Sequence, residues 1–344
     1  MHFLTRRRVL VTALGGAGAW ALWKGRDVLP RERRASHSVR PDASAGIFVR
    51  KGRSLGTEVS ISAIHHDEGV ADRAMAEAFA ELGRIESVLS LYRPDSQVSQ
   101  LNRDGVLRDA HPALLEVLVT SLAMSQRTGG AFDVTVQPLW ETYADAAGRA
   151  RLPADEEIEA ARRRVDWRQI RLSSSHVELK RPGMAVTFNG IAQGYAADRV
   201  KAVLQERGIR QALVDIGEIG VMGEKSGEPW KIGIQHPRAA DAYVWVAQLK
   251  DRSLATSGDY ATTFSEDHRD HHIFDPATGR SPTEFASVSV AAPTTMAADA
   301  LSTAIFVLGH GKGVELVRST PGADALFVFK NGSVMSTEGF PQAV

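Results

Sequence analysis

Cysteine does not occur anywhere in the 344 residues. Its absence excludes disulfides, thiolate metal sites, a cysteine nucleophile and an N-terminal lipid on cysteine. An exported protein that does without disulfides fits that composition. The common nucleotide fingerprints are missing too. No GxxxxGK followed by Ser or Thr is present, and Gly16-Ala17-Gly18 sits in an apolar leader with no strand before it. A nucleotide site in this chain is therefore of neither Rossmann nor P-loop type. No segment repeats at a fixed period, and the one apolar run, ending at Trp23, is too short for a comfortable membrane span.

Net charge is also lacking, at zero overall, but the balance is uneven. Residues 1–40 hold nine Lys/Arg against Asp27 and Glu32, which leaves 32 basic and 39 acidic residues, a balance of −7, in the remainder. A mildly acidic body argues against broad contact with a nucleic-acid backbone. What remains is the composition of an ordinary globular chain, long enough for one large domain or two intimate lobes. The start, Thr5-Arg6-Arg7-Arg8-Val9-Leu10 followed by the apolar run, reads as a twin-arginine export signal, so we expect a periplasmic protein. Ala43-Ser44-Ala45 is a candidate cleavage site; retention of the segment as an inner-membrane anchor stays open. We divide the chain into residues 1–45, signal and linker, and 46–344, the folded domain.

Periodicity places long helices among short strands. Helices are expected over Glu68–Leu91, His111–Arg127, Trp140–Ala150, Ala154–Val165, Gln193–Arg207, Thr294–Leu308 and His310–Ser319. Strands are expected within Gly46–His65 and over Gln169–Ser173, His176–Lys180, Met184–Phe188, Ala212–Ile216, Trp230–Gln235, Tyr243–Leu249, Phe285–Ala292, Ala325–Phe329 and Ser333–Ser336. Ala131–Val136 reads as a strand or a tight turn. Hairpin turns such as Lys330-Asn331-Gly332 favour antiparallel pairing, and the class is α+β.

The Thr294–Leu308 helix carries an unusual pair. Asp299 and Thr303 are four residues apart, so a carboxylate and a hydroxyl share one face of an otherwise apolar helix. Two readings stand: a pair of hard oxygen ligands of the kind Mg²⁺ takes beside waters and phosphate, or a local cap and a hydroxyl bonded back to the helix. Four loop-like segments carry further polar groups: Ser90–Ser96, Thr128–Asp133, Phe188–Tyr195 and Ser253–Tyr260. In the second, glycines either admit a ligand or make a plain turn; in the third, a loop entering a helix offers backbone N–H groups to phosphate. His268, His271 and His272 lie near Asp267, Asp270 and Asp275 but lack zinc-site spacing, and residues 266–270 read as a solvated hairpin end.

Taken in order, SLYRPDSQVSQLN, TGGAFDVTVQPLW, NGIAQGYAADRV, ATSGDY, HHIFDPATGR and APTTMAADALSTAIFVLG resemble the successive motifs of the ApbE family, the FAD:protein FMN transferases, from about Leu55 to Gly309. The resemblance implies an ApbE-like, T-fold-like arrangement of mixed antiparallel sheets with packed helices. It implies FAD as substrate, Mg²⁺ as cofactor, transfer of FMN to a Thr or Ser hydroxyl of a target flavoprotein, and release of AMP. It places metal ligands on Asp299, Thr303 and the carbonyl of Ala192, and flavin-site positions on Leu55, Tyr92, Ala131, Phe132, Asp133, Asn189, Tyr195 and Ile273. His272 falls on the histidine of the family's His-x-x-Asp-Pro motif and is the candidate for proton transfer; the other reading is a structural histidine bonded to a backbone carbonyl.

The chain departs from the family pattern at Leu55, at Gln193 where Lys is common, at Asn189-Gly190 in place of paired glycines, and at Val214-Asp215-Ile216-Gly217-Glu218-Ile219. That last variant and the twin-arginine start are similar to the NosX branch, which serves NosR, a membrane redox protein. Two rival functions remain: an FAD pyrophosphatase, with water in place of the acceptor hydroxyl, and a periplasmic flavin carrier without enzymatic activity.

Overall fold

The computed structural model describes residues 45–342. The twin-arginine start, the apolar run and nearly all of the linker lie outside the described residues, as do Ala43 and Ser44.

The domain opens on a hairpin, β1 (Gly46–Ser54) and β2 (Thr57–His65), in continuous register from Gly46–His65 to Ser54–Thr57. Its two turn residues, Leu55 and Gly56, both have positive φ, 49° and 78°, the conformation a two-residue hairpin turn needs. Helix α1 (Glu68–Leu89) starts where the Asp67 carboxylate accepts from the Val70 N–H, and buries Ala71, Met75, Ala78, Leu82 and Ile85 along one side. It stops at Leu89, two residues short of expectation, because Ser90 is already extended.

Next come α2 (Gln97–Asp104), β3 (Val106–Arg108), α3 (Pro112–Arg127), α4 (Gln137–Ala147), α5 (Asp155–Arg162), β4 (Ile170–Leu172) and β5 (His176–Leu179). The three short strands form a small sheet in the order β3-β5-β4. Beyond it lie α6 (Ala192–Glu206), β6 (Gln211–Asp215), β7 (Ile219–Met222), β8 (Trp230–His236), β9 (Ala239–Leu249), β10 (Ser253–Gly258), β11 (Phe285–Ala292), α7 (Thr295–Leu308), α8 (His310–Arg318), β12 (Asp324–Phe329) and β13 (Val334–Ser336).

Eight of these strands make one sheet, β1-β2-β6-β7-β10-β11-β12-β13, antiparallel at each pairing. Alternate residues serve opposite faces, the consequence of a two-residue period. In β6, Ala212 and Val214 join the core shared with α1, α6 and α7, while Leu213 joins a second core. The β8–β9 hairpin supplies that second core, with Trp230, Ile232, Ile234 and Leu249 covering the sheet's far side. The sheet is thus lined by helices on one face and capped by a hairpin on the other, the α+β class read from sequence. Among the described residues no helix is long and apolar enough to cross a membrane.

Two segments differ from expectation for identifiable reasons. Ser253–Tyr260, read as loop-like, is largely β10, a central strand. Its hydroxyls hid the strand pattern, yet they are paired: Ser253 with Thr295 at 2.8 Å, Thr256 with Ser289 at 2.8 Å and Ser257 with Ser302 at 2.9 Å. Met184–Phe188, read as a strand, joins no ladder. The Asn102 side chain takes both backbone groups of Val186, at 2.7 and 2.8 Å, and the Thr187 N–H donates to the Val134 carbonyl. Strand β7, too short for periodicity to register, and helix α2, with two buried apolar residues, Val98 and Leu101, escaped the sequence reading.

Candidate active site

Helices α6 and α7 are locked by exchanged caps. The Asp198 carboxylate of α6 accepts from the first N–H groups of α7, Thr295 at 2.9 Å and Met296 at 2.8 Å. In return Asp299 of α7 accepts from the Gly194 N–H of α6 at 2.9 Å. Each carboxylate meets the positive end of the other helix. The approach is close enough that a Cβ on Gly194 would lie 2.5 Å from the Thr295 carbonyl oxygen and 2.7 Å from the Met296 Cα. Asp299 is therefore held, buried at 3% exposure, rather than capping its own helix.

One turn on, Thr303 faces the same way. Its hydroxyl bonds Ser257 Oγ at 3.1 Å and does not bond back to α7. A Cβ on Gly190 would stand 2.9 Å from Thr303 Oγ1, so the Asn189-Gly190 loop abuts this hydroxyl. Asp299, Thr303, Asn189, Gly190, Ser257 and His272 all line one cavity. Its other wall is apolar and includes Phe132, Val136, Trp140, Ile273 and Phe274. Ala131, Phe132, Asp133, Asn189 and Ile273 line the same cavity as Asp299 and Thr303.

Other positions lie elsewhere or act differently. Leu55 and Tyr92 are neighbours at a rim: Gly56 packs under the Tyr92 ring, Glu86 accepts from the Leu55 N–H at 3.0 Å, and Tyr92 is 66% exposed; neither lines the cavity. Tyr195 turns toward α3, where its hydroxyl donates to Glu116 at 3.2 Å; burial, with Glu116 adding to it, pushes its pKa up to about 12. Asp133 is a structural clamp. It accepts from the Thr135 N–H and hydroxyl and from the Trp167 N–H, and burial pushes its pKa up to about 6. Gly129 and Gly130, at φ 63° and 94°, make the turn that ends α3, and they also line a second cavity beside Ala131 and Asp133. Nor is the start of α6 an open phosphate cradle. The N–H groups of Ile191, Ala192, Gly194 and Tyr195 already donate to protein oxygens.

The adjacent histidines divide their roles. His271 is fully buried; its Nε2 bonds the Pro282 carbonyl at 3.0 Å, its Nδ1 meets the Ile273 N–H, and burial pulls its pKa down to about 4. His272 is half-buried at the cavity wall, with Nδ1 3.2 Å from the Thr262 carbonyl oxygen. A carbonyl only accepts, so Nδ1 is the donor, and in the neutral ring the lone pair then sits on Nε2. The carbonyl-bonded reading of His272 is thus met by geometry that also fixes the tautomer a base requires. The 266–270 tip is tied to the body through its half-buried His268, whose carbonyl accepts from Lys330. Among the described residues no group of three or more His, Asp or Glu side chains is placed to hold a metal. Asp198 and Ser257 were missed in the sequence; both stood inside quoted motifs, but nothing in their spacing linked them to the start of α7 or to Thr303.

The fold and this cavity define an α+β protein in which two buried carboxylates, Asp133 and Asp299, meet the Thr303 hydroxyl and the His272 imidazole. Residues 55–327 match the ApbE family. The chain belongs to that family. It is 34% identical over 295 residues to an FAD:protein FMN transferase of Treponema pallidum, covering 79% of this chain and 81% of that one. It is 30% identical to the Escherichia coli K12 protein of the same name, over 86% and 88%. Among solved structures, the ApbE protein of Thermotoga maritima superposes with TM-score 0.77 at 29% identity, over 85% of this chain and 97% of that one. The apo flavinyl transferase ApbE of Pseudomonas stutzeri gives 0.74 at 31%, over 86% and 95%.

Proposed function

We propose that this chain is an FAD:protein FMN transferase, moving the FMN half of FAD onto a Thr or Ser hydroxyl of a partner protein with AMP as leaving group. Relatives of that name at about 30% identity over most of the chain support the activity. The observation that carries the chemistry is the convergence of Asp299, Thr303, the Asn189-Gly190 loop and His272 on one cavity.

In the transfer, the acceptor oxygen bonds to the phosphorus on the FMN side, and the bond from that phosphorus to the bridging oxygen breaks, so AMP leaves with that oxygen. The acceptor proton goes to His272 Nε2, whose ring is held by the Thr262 carbonyl. The apolar wall at Phe132, Trp140 and Phe274 suits a flat ring and keeps water away. The donor set fits Mg²⁺, which takes hard oxygens and retains water and phosphate ligands, so a single carboxylate is enough protein charge. Asp299 and the Thr303 hydroxyl would hold it from the cavity wall, and the family resemblance adds the Ala192 carbonyl at the start of α6. When bound, it would act as a Lewis acid on the pyrophosphate.

The acceptor we infer to be a membrane redox protein of the NosR kind, met in the periplasm after twin-arginine export. That inference rests on the sequence alone, on the Val214–Ile219 variant and the twin-arginine start.

The test is incubation with FAD and Mg²⁺, with and without a peptide carrying a Ser/Thr-Gly-Ala-Thr site, followed by mass spectrometry. The expected result is peptide carrying FMN, no such product from Asp299→Ala, and a fall of about 10²–10⁴-fold in His272→Ala. FMN released equally without peptide makes the protein an FAD pyrophosphatase instead, and intact FAD throughout makes it a carrier.

A further inference from the structure

Four oxygens on α7 and β10 form a chain. Thr303 Oγ1 is 3.1 Å from Ser257 Oγ, Ser257 Oγ is 2.9 Å from Ser302 Oγ, and Ser302 Oγ is 3.0 Å from the Asp299 backbone carbonyl. The last acceptor has no proton, so it fixes the direction of all three bonds. Ser302 gives its one proton to the carbonyl and must accept from Ser257. Ser257, its proton spent, must accept from Thr303. Thr303 therefore donates inward and turns its remaining lone-pair density toward the cavity.

We propose that Ser257 and Ser302 are positioning residues that set the Thr303 hydroxyl as an acceptor-only ligand for the divalent cation. This rests on the reading of Asp299 and Thr303 as the metal-holding pair. A free threonine hydroxyl spends part of its time pointing its proton at whatever it faces, and a proton aimed at a cation opposes binding. The hydroxyl chain removes that option. Ser257 is 5% exposed and Ser302 1% exposed, so water does not compete for the chain. The burial of a serine in the centre of a sheet, otherwise a cost, then has a use. Outer ligand partners of this kind change metal affinity by about 10–100-fold when removed.

The experiment measures Mg²⁺ binding by calorimetry on the FAD-loaded protein, metal-free FAD binding by flavin fluorescence, and the thermal melt without metal. Ser257→Ala should weaken Mg²⁺ by about tenfold or more while leaving metal-free FAD affinity and fold intact. Ser302→Ala, which frees Ser257 to rotate, should weaken Mg²⁺ by a smaller factor in the same direction. Asp299→Ala should abolish Mg²⁺ binding. If Asp299→Ala binds Mg²⁺ like the parent, the metal assignment itself is wrong. If Asp299→Ala loses the metal but both serine variants bind it as the parent does, the hydroxyl chain is overturned and the assignment survives. Loss of metal-free FAD binding or melting in Ser257→Ala, with Ser302→Ala unchanged, assigns Ser257 to packing and also overturns the proposal.

Discussion

Two helix glycines test how local contacts decide the sign of one substitution. Gly83 lies on the exposed side of α1, with nothing within 4 Å of an added Cβ. Gly83→Ala should stabilise the protein by about 0.5–1 kcal/mol, because alanine loses less backbone freedom on folding. Gly194 sits where α6 crosses α7, and the same methyl would strike backbone on α7. Gly194→Ala should cost about 2–3 kcal/mol and loosen the Gly194–Asp299 bond. Urea denaturation of both variants checks this; equal effects would refute the close-approach argument. At this scale the sequence showed the pair Asp299/Thr303, because four-residue spacing on an apolar helix is conspicuous. It did not show Asp198 or Ser257, because their partners lie 97 and 46 residues away in the chain and local pattern holds no record of such pairs.

Elements followed the same logic. Helix α7 and strand β11 were legible because burial on regular faces writes itself into hydrophobic spacing. Strand β10 was not, because its buried hydroxyls satisfy one another across the α7 and β11 contacts and so look like loop residues. Met184–Phe188 misled in the opposite sense, since an asparagine side chain replaced a strand neighbour. The β8–β9 hairpin is attached to the end of β10 through its tip. Asp259, fully buried, receives two 2.7 Å bonds from Arg238 and lies 3.3 Å from Lys330 Nζ. Pairing of this kind stabilises only while complete; removing one partner strands the others' charge. Asp259→Ala should cost about 3 kcal/mol or more, and hydrogen exchange should rise first at the Pro237–Ala239 tip. Exchange that rises uniformly over the whole sheet would mean the tip is not separately anchored.

Across the whole molecule, three buried groups give opposing responses to pH. His271 stays neutral in the fold down to about 4, whereas in the unfolded chain it charges near 6.5. As pH falls from 6.5 to 4 the unfolded state gains a proton the fold refuses, and stability is lost. Asp133 and Asp215 behave in the reverse sense. Burial raises both to about 6 from 3.8, so the fold takes up protons first and gains stability as pH falls through the same range. The two carboxyls together outweigh the histidine, so the sum of the three rises on acidification while concealing each part, and differences between variants are needed. His271→Asn should be less stable than the parent at pH 7, with the gap narrowing by about 3 kcal/mol at pH 4, since the parent alone loses the histidine contribution. Asp133→Asn should move oppositely: the parent gains on acidification and the variant cannot, so its relative stability falls. Denaturant titrations of the three proteins at pH 7, 5.5 and 4 check this. Parallel curves would mean that neither group changes protonation affinity on folding, and that the burial of His271 beside the cavity does not hold it neutral.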